Sequence, residues 1–195
     1  MGNKIDIHEK LEILYDLLVD NFEILETELK ILITSPERIK NTNKFASLLS
    51  DLKRPAFISP LLQKISTAEK GDVWLTDFLY AAINLLEEWD SDGQIATPDS
   101  LVEKLGGWII GNTGELAWKA AGLLKFANSA DAEKIQLMKL EERGDFFLVY
   151  VECILGLCWY NRSKHIELVK QIANDESRDE RLREYCDDLV KRRQQ

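Results

Sequence analysis

The chain has 195 residues, 45% hydrophobic and 30% charged, with a net charge of −9 and a sequence pI of 4.9. A domain of this size buries roughly 70% of the surface its unfolded form exposes, so it needs neither disulfides nor a structural metal. The acidic balance argues against nucleic acid and anionic membrane surfaces, whose phosphates attract Lys and Arg, and reads either as suiting a basic partner or as serving solubility alone.

Ile7, Leu11, Leu14 and Leu18 share one helical face, as do Phe22, Leu25, Leu29 and Leu32, which predicts helices over about 6–20 and 22–33. Ser35-Pro36-Glu37 reads as a helix start, with Ser as N-cap and Pro at the first helical position. Helices near 41–52 and 55–66 follow, the second opened by Pro55. Asp72 is expected to cap a long helix that runs to about Trp89. Asp90-Ser91-Asp92-Gly93-Gln94 is the clearest loop, and Thr97-Pro98-Asp99 opens the next helix. Helices near 98–110, 113–128, 131–142, 145–161, 163–174 and 178–193 complete the chain. No segment alternates as a strand would, so the expected fold class is all-α.

Met1 to Asp6 leads into no apolar signal segment, and Asp6 stands where myristoylation wants Ser or Thr. The apolar run from Phe146 to Tyr160 is interrupted by Glu152 and too short for a bilayer. Cys153, Cys158 and Cys186 contain no C-x-x-C pair and read as free core thiols of a reducing compartment. A cytoplasmic location is expected.

A repeat is visible. In the helices that begin near Asp72, Thr113, Asp145 and Arg178, a small residue recurs at Ala82, Ala121, Cys153 and Cys186, spaced by roughly 32 to 39 residues. A shorter apolar helix precedes each one, for example Leu61-Leu62-x-x-Ile65 and Leu101-Val102-x-x-Leu105. A helix pair cannot bury its apolar faces alone, so consecutive pairs are expected to stack into an α-solenoid.

The last repeat reads Asp179-x-x-Leu182-Arg183-x-x-Cys186, with Ser177-x-x-Glu180 as a capping box. It resembles the second-helix pattern of HEAT repeats: Asp, an aliphatic-Arg pair, then a small residue. The other repeats keep the apolar and small positions but place Ala117-Trp118 and Val149-Tyr150 where that pair would stand. The resemblance implies one HEAT-like domain, with residues 55–193 as repeats and 1–52 as a divergent N-terminal cap.

Nothing marks catalysis. His8 and His165 have no second ligand at metal spacing, and both are expected to be exposed. Gly106-Gly107 and Gly111-Asn112-Thr113-Gly114 lack the Gly-Lys-Ser/Thr ending of a phosphate loop, so Gly111 to Gly114 reads as a turn between paired helices. No metal or cofactor is expected, and the chain reads as a binder rather than an enzyme.

The second helices of a solenoid offer an extended surface. Partner-binding positions expected there are Asp77, Tyr80, Glu115, Asp145 and Glu152, with Glu87, Glu88, Trp89, Asp90 and Asp92 at an acidic, loop-edge site. Asn84 and Lys119 belong to the same exposed set. Glu152 sits in an apolar run, Phe146 to Leu155. Either it pairs with Lys or Arg of a neighbouring repeat, or it faces the groove and meets a partner's cation. The five tryptophans read mainly as core, with Trp89 the best interface anchor.

A small acidic helical chain with no catalytic set also resembles the immunity proteins of bacterial polymorphic-toxin and contact-dependent growth inhibition systems. Ile5-Asp6-Ile7-His8-Glu9-Lys10-Leu11 and the acidic second helix carry that likeness. It implies a stoichiometric inhibitor of a basic, nuclease-type toxin domain. An intracellular scaffold or client-binding chaperone is the alternative. DNA glycosylases built on HEAT-like folds are basic, where this chain is acidic.

Overall fold

The computed structural model describes residues 21–90, 96–144 and 146–192, except the side chains of 160–163. Every regular element among them is helical. In chain order these are α1 (Phe22–Thr34), α2 (Thr42–Leu52), α3 (Ile58–Ser66), α4 (Leu75–Trp89) and α5 (Asp99–Ile109). Then come α6 (Glu115–Leu124), α7 (Ala130–Glu141), α8 (Phe147–Asn174) and α9 (Glu180–Lys191). Short 3-10 turns at Pro36–Arg38 and Pro55–Phe57 use the fixed φ of proline. The first predicted helix, near 6–20, lies outside the described residues. Among the described residues, no helix is long and apolar enough to cross a membrane.

The chain divides into two compact units between Lys40 and Asn41. In the first, α1 carries an i,i+4 pair, Lys30 Nζ to Glu26 Oε1 at 2.7 Å. The second unit begins with α2, which the sequence reading placed in the N-terminal cap and which packs on α4.

Within the second unit, α3 packs on α4, α5 on α6 and α7 on α8. Successive pairs adjoin in two rows: α3, α5 and α7 in one, and α2, α4, α6 and α8 in the other, with α9 against α8. The recurring small residues explain the close approach. Ala82, Ala121, Cys153 and Cys186 are all fully buried. Around them lie Leu61, Leu62 and Ile65 of α3, Leu79 and Leu85 of α4, and Leu101 and Leu105 of α5, each worth about 1.5–3 kcal/mol when removed from water.

A second recurrence is polar. Lys104 Nζ on α5 donates to the Ser66 carbonyl at the end of α3 (3.2 Å), and Lys139 Nζ on α7 donates to the Asn112 carbonyl after α5 (2.7 Å). Arg178, just before α9, donates to the Leu140 and Glu142 carbonyls at the end of α7. Each cation therefore satisfies carbonyls that a helix end leaves open, one pair upstream. Lys139 is buried and also meets Glu142 Oε2 at 2.6 Å, while Glu142 Oε1 accepts from the Gly111 N–H at 2.8 Å. Burial raises the Glu142 pKa, but the bonds from Lys139 and Gly111 outweigh it and hold the carboxyl below its usual value. The Gly111–Gly114 segment is the expected turn. Its two glycines have φ of 68° and 89°, a region where a Cβ is strained.

Several local expectations need correction. The helices expected at 145–161 and 163–174 form one continuous 28-residue helix, α8. Asn161-Arg162-Ser163 contains no proline or glycine to stop it. His165 is consequently a buried, mid-helix residue rather than an exposed one near a helix start. Asp72 does not cap α4, which starts at Leu75; its carboxylate accepts from the Glu69 N–H within the preceding turn. The α9 cap is Asp179, which accepts from the Arg181 N–H, while Ser177 donates to Asp175. Ser129 caps α7 by accepting from the Ala132 N–H.

Candidate protein-binding face

Helical spacing puts Asp77, Tyr80, Asn84 and Glu87 on one stripe of α4, and Glu115, Trp118, Lys119 and Gly122 on one stripe of α6. Glu152 and Trp159 follow on α8. Contacts between helices show that the three stripes form one continuous face. Lys119 Nζ pairs with Glu115 at 2.7 Å and lies 5.7 Å from the centre of the Tyr80 ring. Trp118 Nε1 donates to Glu152 Oε1 at 3.4 Å and its ring meets Phe146 edge-on. At the centre, Gly122 keeps the surface low, because a Cβ there would stand 3.0 Å from Ile83 Cδ1.

Lys125, immediately after α6, ties the helices together. Its Nζ lies 2.7 Å from Glu87 Oε1 on α4 and 3.2 Å from Glu152 Oε2 on α8. Of the two fates open to Glu152, the internal pair is the one observed. Its charge also reaches α9, where burial and then Glu152 push the Tyr185 phenol up to about 12. Sequence reasoning missed Lys125. The available signal was a lysine between Leu124 and Phe126, in a run as apolar as the one around Glu152.

The structure sorts the remaining expected positions. Tyr80 and Trp89 are 43% and 49% exposed, and Glu87, Glu88 and Glu115 are exposed carboxylates. Trp89 is anchored by its Nε1, which donates to the Lys53 carbonyl at 2.8 Å, and Glu88 meets Lys53 Nζ at 3.0 Å. Lys53 makes that carbonyl available from a left-handed C-cap conformation, φ 48°. Asp77 is half-buried and accepts from Thr42 Oγ1 (2.5 Å) and Asn43 Nδ2 (3.4 Å) of α2. Asp90 differs from expectation: it is buried at the end of α4, 1% exposed, and is not on an acidic rim. Asp92 and Asp145 lie outside the described residues. The tryptophans divide, with Trp74 and Trp108 in the core and Trp159, packed on Phe126, 40% exposed.

No protein-family model, curated protein or solved structure matches this chain. What the face can do therefore rests on its chemistry. Exposed aromatics with an apolar body and a polar tip, set among half-exposed carboxylates, suit contact with a polypeptide carrying Lys and Arg. Burial pushes the Cys153 and Cys186 thiols up to about 12, which makes those two poor nucleophiles. Among the described residues, no three His, Cys, Asp or Glu side chains cluster to hold a metal.

Proposed function

We propose that this chain is a non-catalytic protein-binding module of stacked HEAT-like hairpins, and that the α4–α6–α8 face takes a basic partner. The two rows of adjoining helices, the recurring small residue and the recurring cation-to-carbonyl bond support the stacked arrangement. The module departs from the HEAT pattern in its charges: Asp179 pairs with Arg181 rather than Arg183, and the Glu87–Lys125–Glu152 chain links neighbouring second helices instead.

The observation that carries the binding role is the pair of exposed aromatics on this face, Tyr80 and Trp159, with the exposed carboxylates Glu87 and Glu115 between them, while Trp89 and Glu88 stand apart beside Lys53 at the end of α2. Aromatic anchors supply affinity, and opposite potentials speed encounter and select the partner. Together with the net charge of −9, this face suits the immunity role that the sequence resemblance implies. The chain binds a basic toxin domain one to one and covers its substrate groove.

Growth tests the reading. The protein domain encoded by the adjacent gene is expressed from an inducible promoter, with and without this chain. Co-expression restores growth, and Tyr80→Ala combined with Glu115→Lys, both at exposed positions of this face, abolishes the rescue while leaving the helical circular-dichroism signal intact. Rescue that survives both substitutions removes this face from the interaction. Stable co-purification without any growth effect favours an adaptor.

A further inference from the structure

The α3–α5–α7 row carries a surface of a different kind. Between α5 and α7 runs a groove of about 620 Å³ whose floor is Gly106, Ile110, Ile135 and Met138. Gly106 makes this floor possible, because any Cβ there would stand 2.8 Å from Ile135 Cδ1. Met138 is 44% exposed beside the half-buried Ile110 and Ile135, so the three side chains form an apolar patch open to solvent.

The rim is charged, and the charges are ordered. Asp99 and Asp131 lie in the first turns of α5 and α7, with Glu103 one turn further along, while Ile110 and Met138 stand at the other ends. Lys139, near the end of α7, reaches the Asn112 carbonyl just past α5, so the two helices run the same way. The groove is therefore acidic where both helices begin and apolar where they finish. Asp99, Glu103 and Asp131 are exposed and make no hydrogen bond or ion pair among the described residues, nor does Lys134 on the rim. Glu69 and Glu142 nearby, by contrast, each have a lysine.

We propose that this groove docks an amphipathic helix of a partner protein, with Lys or Arg over the Asp99–Glu103–Asp131 end and aliphatic side chains over Ile110 and Met138. Its length fits: from Asp99 to Ile110 is about 16 Å at the helical rise, enough for anchors at i, i+4 and i+7. A cation arriving there relieves three unpaired like charges, and the aliphatic anchors cover the open floor. This surface lies on the row opposite the α4–α6–α8 face and does not depend on the reading of that face.

The test is an amide-shift titration of the full-length, 15N-labelled protein with a designed peptide of about 15 residues, Leu at i, i+4 and i+7 and Lys around the first anchor. A second peptide carries Glu in place of Lys. The Lys peptide shifts amides of 99–110 and 131–138, and the Glu peptide does not. Asp99→Asn with Glu103→Gln and Asp131→Asn weakens binding by about tenfold. Met138→Gln, at an exposed position that leaves the fold intact, weakens it by about fivefold. The proposal is overturned by shifts confined to α4, α6 and α8, by equal binding of both peptides, by unchanged affinity in the triple variant, or by no binding at millimolar peptide. None of those results touches the growth experiment.

Discussion

Lys125→Met keeps most of the buried stem and removes the charge that Glu87 and Glu152 share. The Lys125 side chain is 5% exposed, Glu152 is 17% and Glu87 is 49%. Removing one partner from a fully buried pair costs about 3–5 kcal/mol, because the other charge is left unpaired. Glu87 is half in water and contributes little to that figure. Glu152 has some water and keeps Trp118 Nε1 at 3.4 Å. The expected loss is therefore about 2 kcal/mol, or roughly 4–8 °C in Tm for a chain of this length. Urea unfolding followed by circular dichroism on Lys125→Met, Glu152→Gln, Glu87→Gln and the Lys125→Met/Glu152→Gln double variant separates the contributions. Glu87→Gln stays within about 0.5 kcal/mol of the parent. The double variant is more stable than the sum of its parts predicts, by about 1–2 kcal/mol. The reasoning fails if Lys125→Met costs under about 0.5 kcal/mol or if the two losses simply add.

Two glycines in helices give opposite expectations. A Cβ at Gly156 overlaps the Gln136 amide and stands 3.0 Å from the Lys125 Cα, so Gly156→Ala loses about 1–3 kcal/mol by forcing α8 off its neighbours. Gly107 has nothing within 4 Å of the same position, so Gly107→Ala is neutral or gains up to about 1 kcal/mol from helix propensity. Urea midpoints that move the same way in both variants refute this account. His165 gives a pH dependence. Burial, opposed by Glu133, holds its pKa below the ordinary 6.5, so the unfolded chain takes up a proton that the folded chain resists. Its contribution is whole above about pH 6.5 and declines as the pH falls below it. The urea midpoint falls between pH 7.5 and 5.5, and His165→Gln flattens that slope. An equal fall in the variant assigns the effect to other groups.

Local pattern carried the sequence reading a long way. Period-3.6 spacing located α1 to α7 and α9 to within a few residues, because most have one clearly apolar side; α7 is the exception, with Gln136 and Lys139 buried and Met138 exposed. Ala82, Ala121, Cys153 and Cys186 marked the tight crossings for the same reason. The sequence reading broke the chain between 161 and 163, whereas α8 runs on through Asn161-Arg162-Ser163, residues through which propensity allows a helix to continue. Asp90 looked like rim because its sequence neighbours are acidic, yet the end of α4 brings it inside. Lys125 was invisible for another reason: its partners lie 38 residues before it and 27 after. Only the packing of α4, α6 and α8 makes them neighbours, and no local pattern encodes that.

The helix before α9 is a rod of roughly 42 Å with no joint in it. It packs on α6 and α7, reaching Glu133 of α7 through Lys164 in its second half, and α9 leans on the same rod. Since α9 packs on this unbroken rod, hydrogen exchange across α8 and α9 should report one cooperative block.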